Sequence, residues 1–167
     1  MNLLLVGDTH LPKKRRFFDD EVQQEILAAD HVIHTGDFTS LEAYQWFESH
    51  TSLSAVYGNA DEEEVKKRLR PSLEMQAGAW KLAVMHGHEG KGKGAEEHVR
   101  RACKETDADI VIFGHSHIPY CRWHGSTLFI NPGSLTDSRK VPMRSCVHLD
   151  LSVQAPVVAF RYFSGRF

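Results

Sequence analysis

Cysteine is scarce in this chain. Its three cysteines, Cys103, Cys121 and Cys146, are odd in number and form no CxxC pair. Neither a disulfide framework nor a thiolate zinc site is expected; packed thiols in a reducing, cytoplasmic setting are. An excess of charge of either sign is also lacking, since 20 Lys and Arg stand against 22 Asp and Glu for a net charge of −2. That balance gives no global attraction to large nucleic acids or to an anionic membrane surface. Long apolar runs are missing too. The opening MNLLLVGDTH has no basic start and reaches Asp8 after four consecutive apolar residues, so neither a signal peptide nor a spanning helix is expected there. No linker, repeat or low-complexity stretch interrupts the 167 residues, which read as one domain, 1–167, able to bury roughly 70% of its unfolded surface.

What the chain has instead is histidine, 11 in all, beside acids in five short segments. These are GDTH (Gly7 to His10), GD (Gly36, Asp37), GNAD (Gly58 to Asp61), HGH (His86 to His88) and GHSH (Gly114 to His117), each directly after an apolar run. One histidine beside an apolar run is more often packed than ligating. Here Asp8 and His10, and again His115 and His117, stand two apart after a glycine, a spacing that puts both side chains of an extended pair on one side. Asp8, His10, Asp37, Asn59, His86, His115 and His117 offer carboxylate, imidazole and amide oxygen. That donor set suits Mn²⁺ first, with Zn²⁺, Fe²⁺ and Ni²⁺ as alternatives, and differs from the cysteine-rich closed site of structural zinc. Seven ligands exceed one ion's need. If Asp37 bridges, they divide into two groups of four, and two divalent ions roughly 3.5–4 Å apart form a clamp for displacement at phosphorus. Hydrolysis of a phosphate ester is the chemistry suggested.

Residues 2–6, 31–34, 53–57, 80–85 and 109–113 are short apolar runs closed by Gly or His and are predicted as buried strands. Helical spacing lies between them, at Val22 and Ile26, at Leu41, Tyr44 and Phe47, and at Ala95, Val99, Ala102 and Cys103. Alternating strand and helix indicates an α/β fold with its ligands outside the carboxyl ends of the strands, where all five segments fall. Past Ser116, strands are predicted at 119–123, 126–130, 144–151 and 156–163, forming a second, largely antiparallel sheet.

The order GDTH, GD, GNAD, HGH, GHSH, followed by NPGS at Asn131 to Ser134, resembles the calcineurin-like metallophosphoesterase superfamily, in particular its small single-domain bacterial and archaeal phosphodiesterases. The resemblance implies two sheets packed face to face with helices outside, the first sheet mixed. It implies one metal on Asp8, His10, Asp37 and His117, and another on Asp37, Asn59, His86 and His115. Asp37, Asn59 and His88 are the candidate catalytic residues, and a metal-bridging hydroxide would attack a small phosphodiester, nucleotides among the candidates. The chain departs from the family at two places. Ala60 stands where many members carry a histidine that protonates the leaving group, and Ser40 where many carry a second acid. A homodimer is a further implication. The alternatives are a phosphomonoesterase or protein phosphatase, and a non-catalytic scaffold like the retromer subunit of this fold, against which the intact Asp37 argues.

Other charged features weigh less. DEEEVKKRLR (Asp61 to Arg70) is predicted as a solvated helix with i,i+4 pairs Glu62–Lys66, Glu63–Lys67 and Glu64–Arg68, and Asp61 could orient a neighbouring group. Arg15 and Arg16 in the KKRR run, with Arg139 and Lys140 past NPGS, are candidate substrate contacts. Tyr120, Trp123 and Phe129 are predicted to fill the sheet core.

Overall fold

The computed structural model describes residues 2–11, 18–89, 94–103, 106–137, 139, 141–152 and 154–164. In chain order these form β1 (Asn2–Val6), α1 (Asp20–Leu27), β2 (His31–His34), α2 (Leu41–His50), β3 (Leu53–Ala55), α3 (Glu63–Lys66), β4 (Ser72–Ala77), β5 (Trp80–Met85), α4 (Ala95–Ala102), β6 (Ile110–Phe113), β7 (Tyr120–His124), β8 (Thr127–Asn131), β9 (Arg144–Asp150) and β10 (Val157–Phe163). Two five-stranded sheets result, in the orders β10-β9-β1-β2-β3 and β4-β5-β6-β8-β7.

The run LLLV of β1 is apolar throughout because both faces of its strand are covered. Leu3 and Leu5 point into the core between the sheets, with Ile33, Val84, Ile112 and Val147. Leu4 and Val6 point the other way, against α1 and α2 through Val22, Ile26 and Phe47. On the far side of the second sheet, Ala95 and Val99 of α4 cover Ala83, Val111 and Phe129. The layers are therefore helix, sheet, sheet, helix, as expected. No helix among the described residues is long and apolar enough to cross a membrane.

Both sheets are mixed. β1, β2 and β3 run parallel, with β9 antiparallel to β1 and to β10. In the second sheet β5, β6 and β8 run parallel, and only the outer strands β4 and β7 are antiparallel to their neighbours. The four C-terminal strands expected to make one largely antiparallel sheet thus divide. β7 and β8 extend the second sheet, while β9 and β10 return to the first. The reason is visible in β9, where Cys146 packs toward the helices and Val147 and Leu149 enter the inter-sheet core. A strand covered on both faces can pair beside β1, and its own sequence does not say so.

Other expectations shift locally. β3 ends at Ala55, and β4, which was not expected, pairs in register with β5 from Ser72↔Met85 to Ala77↔Trp80. The helix expected at 61–70 is the four-residue α3, and its ion pairs are i,i+3, Lys66 with Glu63 and Lys67 with Glu64. Phe129 is buried as expected, but Trp123 lies exposed on edge strand β7 and Cys121 beside it is an exposed free thiol.

Candidate metal centre

β1, β2, β3, β5 and β6 all deliver their carboxyl ends to one edge of the sandwich, and the five segments sit on the loops that leave them. Asp8, His10, Asp37, His115 and His117 have φ between 44° and 68°, and Thr39 has φ 84°. Non-glycine residues in this region cost about 1–3 kcal/mol each and persist only when the surroundings fix them. Here they are fixed. Asp8 N–H donates to the Gly36 carbonyl and His10 N–H to that of Asp37. Ser134 Oγ donates to the Asp8 carbonyl at 2.6 Å, and the Asn131 amide donates to the Gly114 carbonyl at 2.9 Å. The NPGS segment therefore ties the Asp8 loop to the His115 loop.

The imidazoles are oriented by contacts on Nδ1. His86 Nδ1–H donates to the Thr35 carbonyl at 2.8 Å, and His117 Nδ1–H to the Asp137 carbonyl at 2.5 Å. Since a carbonyl only accepts, both rings carry a proton on Nδ1 and turn Nε2 inward. His10 Nδ1 lies 3.2 Å from Thr39 Oγ1. The three Nε2 atoms and two carboxylates then converge: His10 Nε2 is 3.2 Å from His117 Nε2 and 3.6 Å from Asp37 Oδ2, His86 Nε2 is 3.3 Å from the same oxygen, and His117 Nε2 is 3.4 Å from Asp8 Oδ1. Two sets each bring their ligand atoms within 4.8 Å of one another, Asp8, His10 and His117, and Asp8, Asp37 and His86.

The fit to a cation can be tested on atoms left over. Asp8 Oδ2 and His86 Nε2 are buried with no hydrogen-bond partner, and a divalent ion between acid and imidazole would satisfy both. The electrostatics agree. Burial pushes the Asp8 carboxyl up to about 7, against the partial relief of His86. Burial also opposes a proton on His86, yet the carboxylates of Asp37 and Asp8 outweigh it and raise its pKa. Burial would raise Asp37 as well, but His86 and the Ala60 N–H, donated to Asp37 Oδ1 at 2.8 Å, hold that carboxyl well below its usual range. Without metal, protons supply the positive charge that the acids demand. The residues present fit hard or borderline divalent ions.

His115 is half-buried and donates its backbone N–H to Asp8 Oδ1 at 3.2 Å, with its ring centroid 5.2 Å from that of His86. His88 lies 5.2 Å from His86 and 6.3 Å from His115 by the same measure. Burial lowers the pKa of His10 to about 4 and those of His88, His115 and His117 below the ordinary value, so all four rings are neutral near pH 7. Asn59 is exposed, one residue before Ala60, and stands outside the two converging sets. Arg139 is exposed, donates to Asp137 Oδ2 at 3.1 Å, and its charge reaches Asp8, His10, His115 and His117. Arg15, Arg16 and Lys140 lie outside the described residues.

Two residues carry more of the architecture than their sequence signal suggested. Asp61 accepts the N–H groups of Asp37, Thr39 and Gly58 at 3.0, 2.8 and 2.7 Å. His34 is the core histidine of the set, accepting the Gly36 N–H at 3.1 Å, contacting Thr9 Oγ1 at 3.2 Å and stacked on Phe38. Ser40 serves as the N-cap of α2, accepting the Ala43 N–H and donating to the Leu11 carbonyl. The carboxylate that pins the Asp37 loop comes from Asp61, across the site.

Comparison with known proteins agrees with this geometry. The family model described as the calcineurin-like phosphoesterase superfamily domain matches residues 1–154. The probable metallophosphoesterase YsnB of Bacillus subtilis is 30% identical over 167 residues, 99% of this chain and 94% of that protein. Phosphodiesterase MJ0936 of Methanocaldococcus jannaschii is 29% identical over 150 residues, 80% of this chain and 83% of that protein. Vps29 of Entamoeba histolytica, solved with Zn²⁺, shares the fold with a TM-score of 0.78 at 23% identity, over 98% of each chain. The chain belongs to the calcineurin-like phosphoesterase superfamily.

Proposed function

We propose that this protein is a phosphodiesterase that uses two divalent metal ions. The observation that carries the reading is the position of Asp37 Oδ2 between His10 Nε2 at 3.6 Å and His86 Nε2 at 3.3 Å, which a carboxylate shared by two ions requires. Asp8, His10, Asp37 and His117 would hold one ion, and Asp37, Asn59, His86 and His115 the other. Asp8 belongs to both close-packed sets and adds a second acid between the positions. Bound ions of this kind lower the pKa of water and neutralise charge on phosphoryl oxygens. Mn²⁺ is the first choice, and Zn²⁺ accompanies one relative of the fold.

The chain's own residues set the rest. His117 and His86, with their protons fixed on Nδ1, hold the lone pairs inward without reorganising. Neutral His88 would accept a hydrogen bond from the attacking water or orient the ester, and Arg139 would supply positive charge for its non-reacting part. Ala60 offers no proton to a departing oxygen. Diesters with one good leaving group, or strained cyclic nucleotides, therefore suit the site better than alkyl monoesters.

Metal counting with reconstituted activity tests the reading. The unaltered protein should take up two Mn²⁺ and hydrolyse diesters in preference to monoesters, and chelation should abolish turnover. Asp37→Asn should weaken both positions, whereas His117→Ala should empty one first and His86→Ala the other. Full turnover by metal-free protein, or no hydrolysis of any ester by the two-ion form, rejects the reading, the latter in favour of a scaffold.

A further inference from the structure

A cavity of about 200 Å³ opens beside the metal-type ligands, beginning at His86 and His88 and running along the outer face of the second sheet between β4 and α4. Ala83, Met85, Val99 and Ala102 give it apolar walls, and Glu74 and Glu89, both exposed, lie at its rim. His98 of α4 also lines it, and both ring nitrogens of His98 are buried with no hydrogen-bond partner. A neutral imidazole has one donor and one acceptor to satisfy, and burying both unpaired is unfavourable. Nothing in the metal centre uses this ring.

The cavity's properties restrict its occupant. It is smaller than the roughly 300–1,000 Å³ of a pocket that encloses a whole drug-sized ligand, so it admits one ring system. The two rim glutamates disfavour a second anionic group there. Methionine and aliphatic walls favour a flat, polarisable face, while His98 calls for a polar edge that pairs with one of its two ring nitrogens.

We propose that this cavity is a subsite for the organic group of the substrate, a neutral nucleobase-type heteroaromatic ring whose polar edge pairs with His98 while its ester phosphorus lies at the metal centre. Contact of the ring's sugar or linker with His88 joins the two parts. The proposal rests on the phosphodiesterase reading and narrows it to nucleotide diesters.

Two esters with the same leaving group separate these claims, thymidine 5′-(p-nitrophenyl phosphate) and methyl p-nitrophenyl phosphate. The ratio of their kcat/KM values should favour the thymidine ester by about tenfold or more. In His98→Ala and in the cavity-filling Ala102→Phe it should fall toward one, and because it is a ratio within each variant, partial loss of folded enzyme does not affect it. A ratio near one in the unaltered protein, or one unchanged in both variants, overturns the proposal. Thymidine titrated into the Zn²⁺-loaded protein gives a readout without turnover: the Met85 methyl and the α4 amides should shift in the NMR spectrum, and should not in Ala102→Phe. Absence of those shifts overturns the subsite even where both esters are hydrolysed. Shifts without hydrolysis of either ester overturn the phosphodiesterase reading and leave the pocket standing.

Discussion

Asp61 accepts the backbone N–H of Asp37 at 3.0 Å, and the same carboxylate accepts Gly58 and Thr39. One buried side chain thereby locks the loop after β2 to the loop after β3, and holds Thr39 at a φ that a β-branched residue otherwise avoids. Asp61→Asn replaces one acceptor oxygen by a donor, leaving at least one of the three N–H groups facing an N–H. Hydrogen bonds to a charged partner contribute about 1.5–3 kcal/mol each, so a loss of about 2–3 kcal/mol in urea unfolding is expected. Metal affinity should fall with it although no ligand is changed. A variant that unfolds like the parent and binds Mn²⁺ equally well would show that the clasp is incidental.

Gly58 leaves Asp37 room in a way that its conformation alone does not reveal. A Cβ at this position would lie 2.1 Å from Asp37 Oδ1 and 2.8 Å from the Asp37 nitrogen. Gly58→Ala must therefore push the carboxylate or its loop aside. The expected outcome is a folded protein with metal affinity reduced at least tenfold at both positions, read by titration with Mn²⁺. Unaltered affinity would mean that the two loops move apart without disturbing the Asp37 carboxylate.

Much of this cluster was legible because its carboxylates and imidazoles are side chains whose chemistry cannot be exchanged for others of similar shape. Asp8, His10, Asp37, His86, His115 and His117 follow apolar runs that could only be covered strands, so both their chemistry and their place at strand ends were on the page. β4 also left a signal, since Leu73, Met75 and Ala77 alternate with Ser72, Glu74 and Gln76, although the charged run before it reads as helix. Pairing was not legible. Whether β9 joins β1 or β8 depends on which neighbour offers two covered faces, and that is a property of the assembled sheets. Asp61 was legible as a residue able to orient a neighbour, but not which groups it holds, because its partners are backbone N–H groups, which every sequence possesses.

Stability should respond to pH in opposite senses with and without metal. The folded-state pKa of Asp8 is pushed by burial from 3.8 to about 7, so its contribution is full below pH 3.8 and is lost as pH rises through about 7. The pKa of His86 is raised from 6.5 against its burial, by Asp37 and Asp8, and it adds a loss of the same sign above pH 6.5. Asp37, whose pKa is lowered, contributes above pH 3.8 and offsets neither. A divalent ion takes the place of these protons, so binding releases them and strengthens with pH. Below pH 6.5 the lowered pKa values of His10, His34, His88, His115 and His117 act in the other direction, because the unfolded chain binds those protons and the folded one does not. Chelator-treated protein should therefore lose thermal stability between pH 7 and pH 8, and the rise in Tm on adding Mn²⁺ should be larger at pH 8 than at pH 7. A metal-induced rise that shrinks over that range would contradict the assignment of Asp8 and His86 as ligands.

Ala60 bears on leaving-group chemistry because its backbone is already fixed at the site. Its N–H donates to Asp37 Oδ1 at 2.8 Å, so its Cα is held beside that carboxylate while its methyl side chain has no proton to give. A positioned general acid is worth typically 10² to 10⁴ in rate, roughly 3–5 kcal/mol of barrier, and helps most where the departing oxygen is basic. Rates across a series of aryl phosphodiesters should therefore depend steeply on leaving-group pKa in the unaltered enzyme. Ala60→His should flatten that dependence by accelerating the poorest leaving groups most, with nitrophenyl esters changed least. His88 is the alternative proton source, but burial lowers its pKa, which leaves little of the imidazolium near pH 7. A flat dependence in the unaltered enzyme, with chemistry shown to limit the rate, would overturn this assignment. His88→Asn should then restore a steep slope if that ring is the donor.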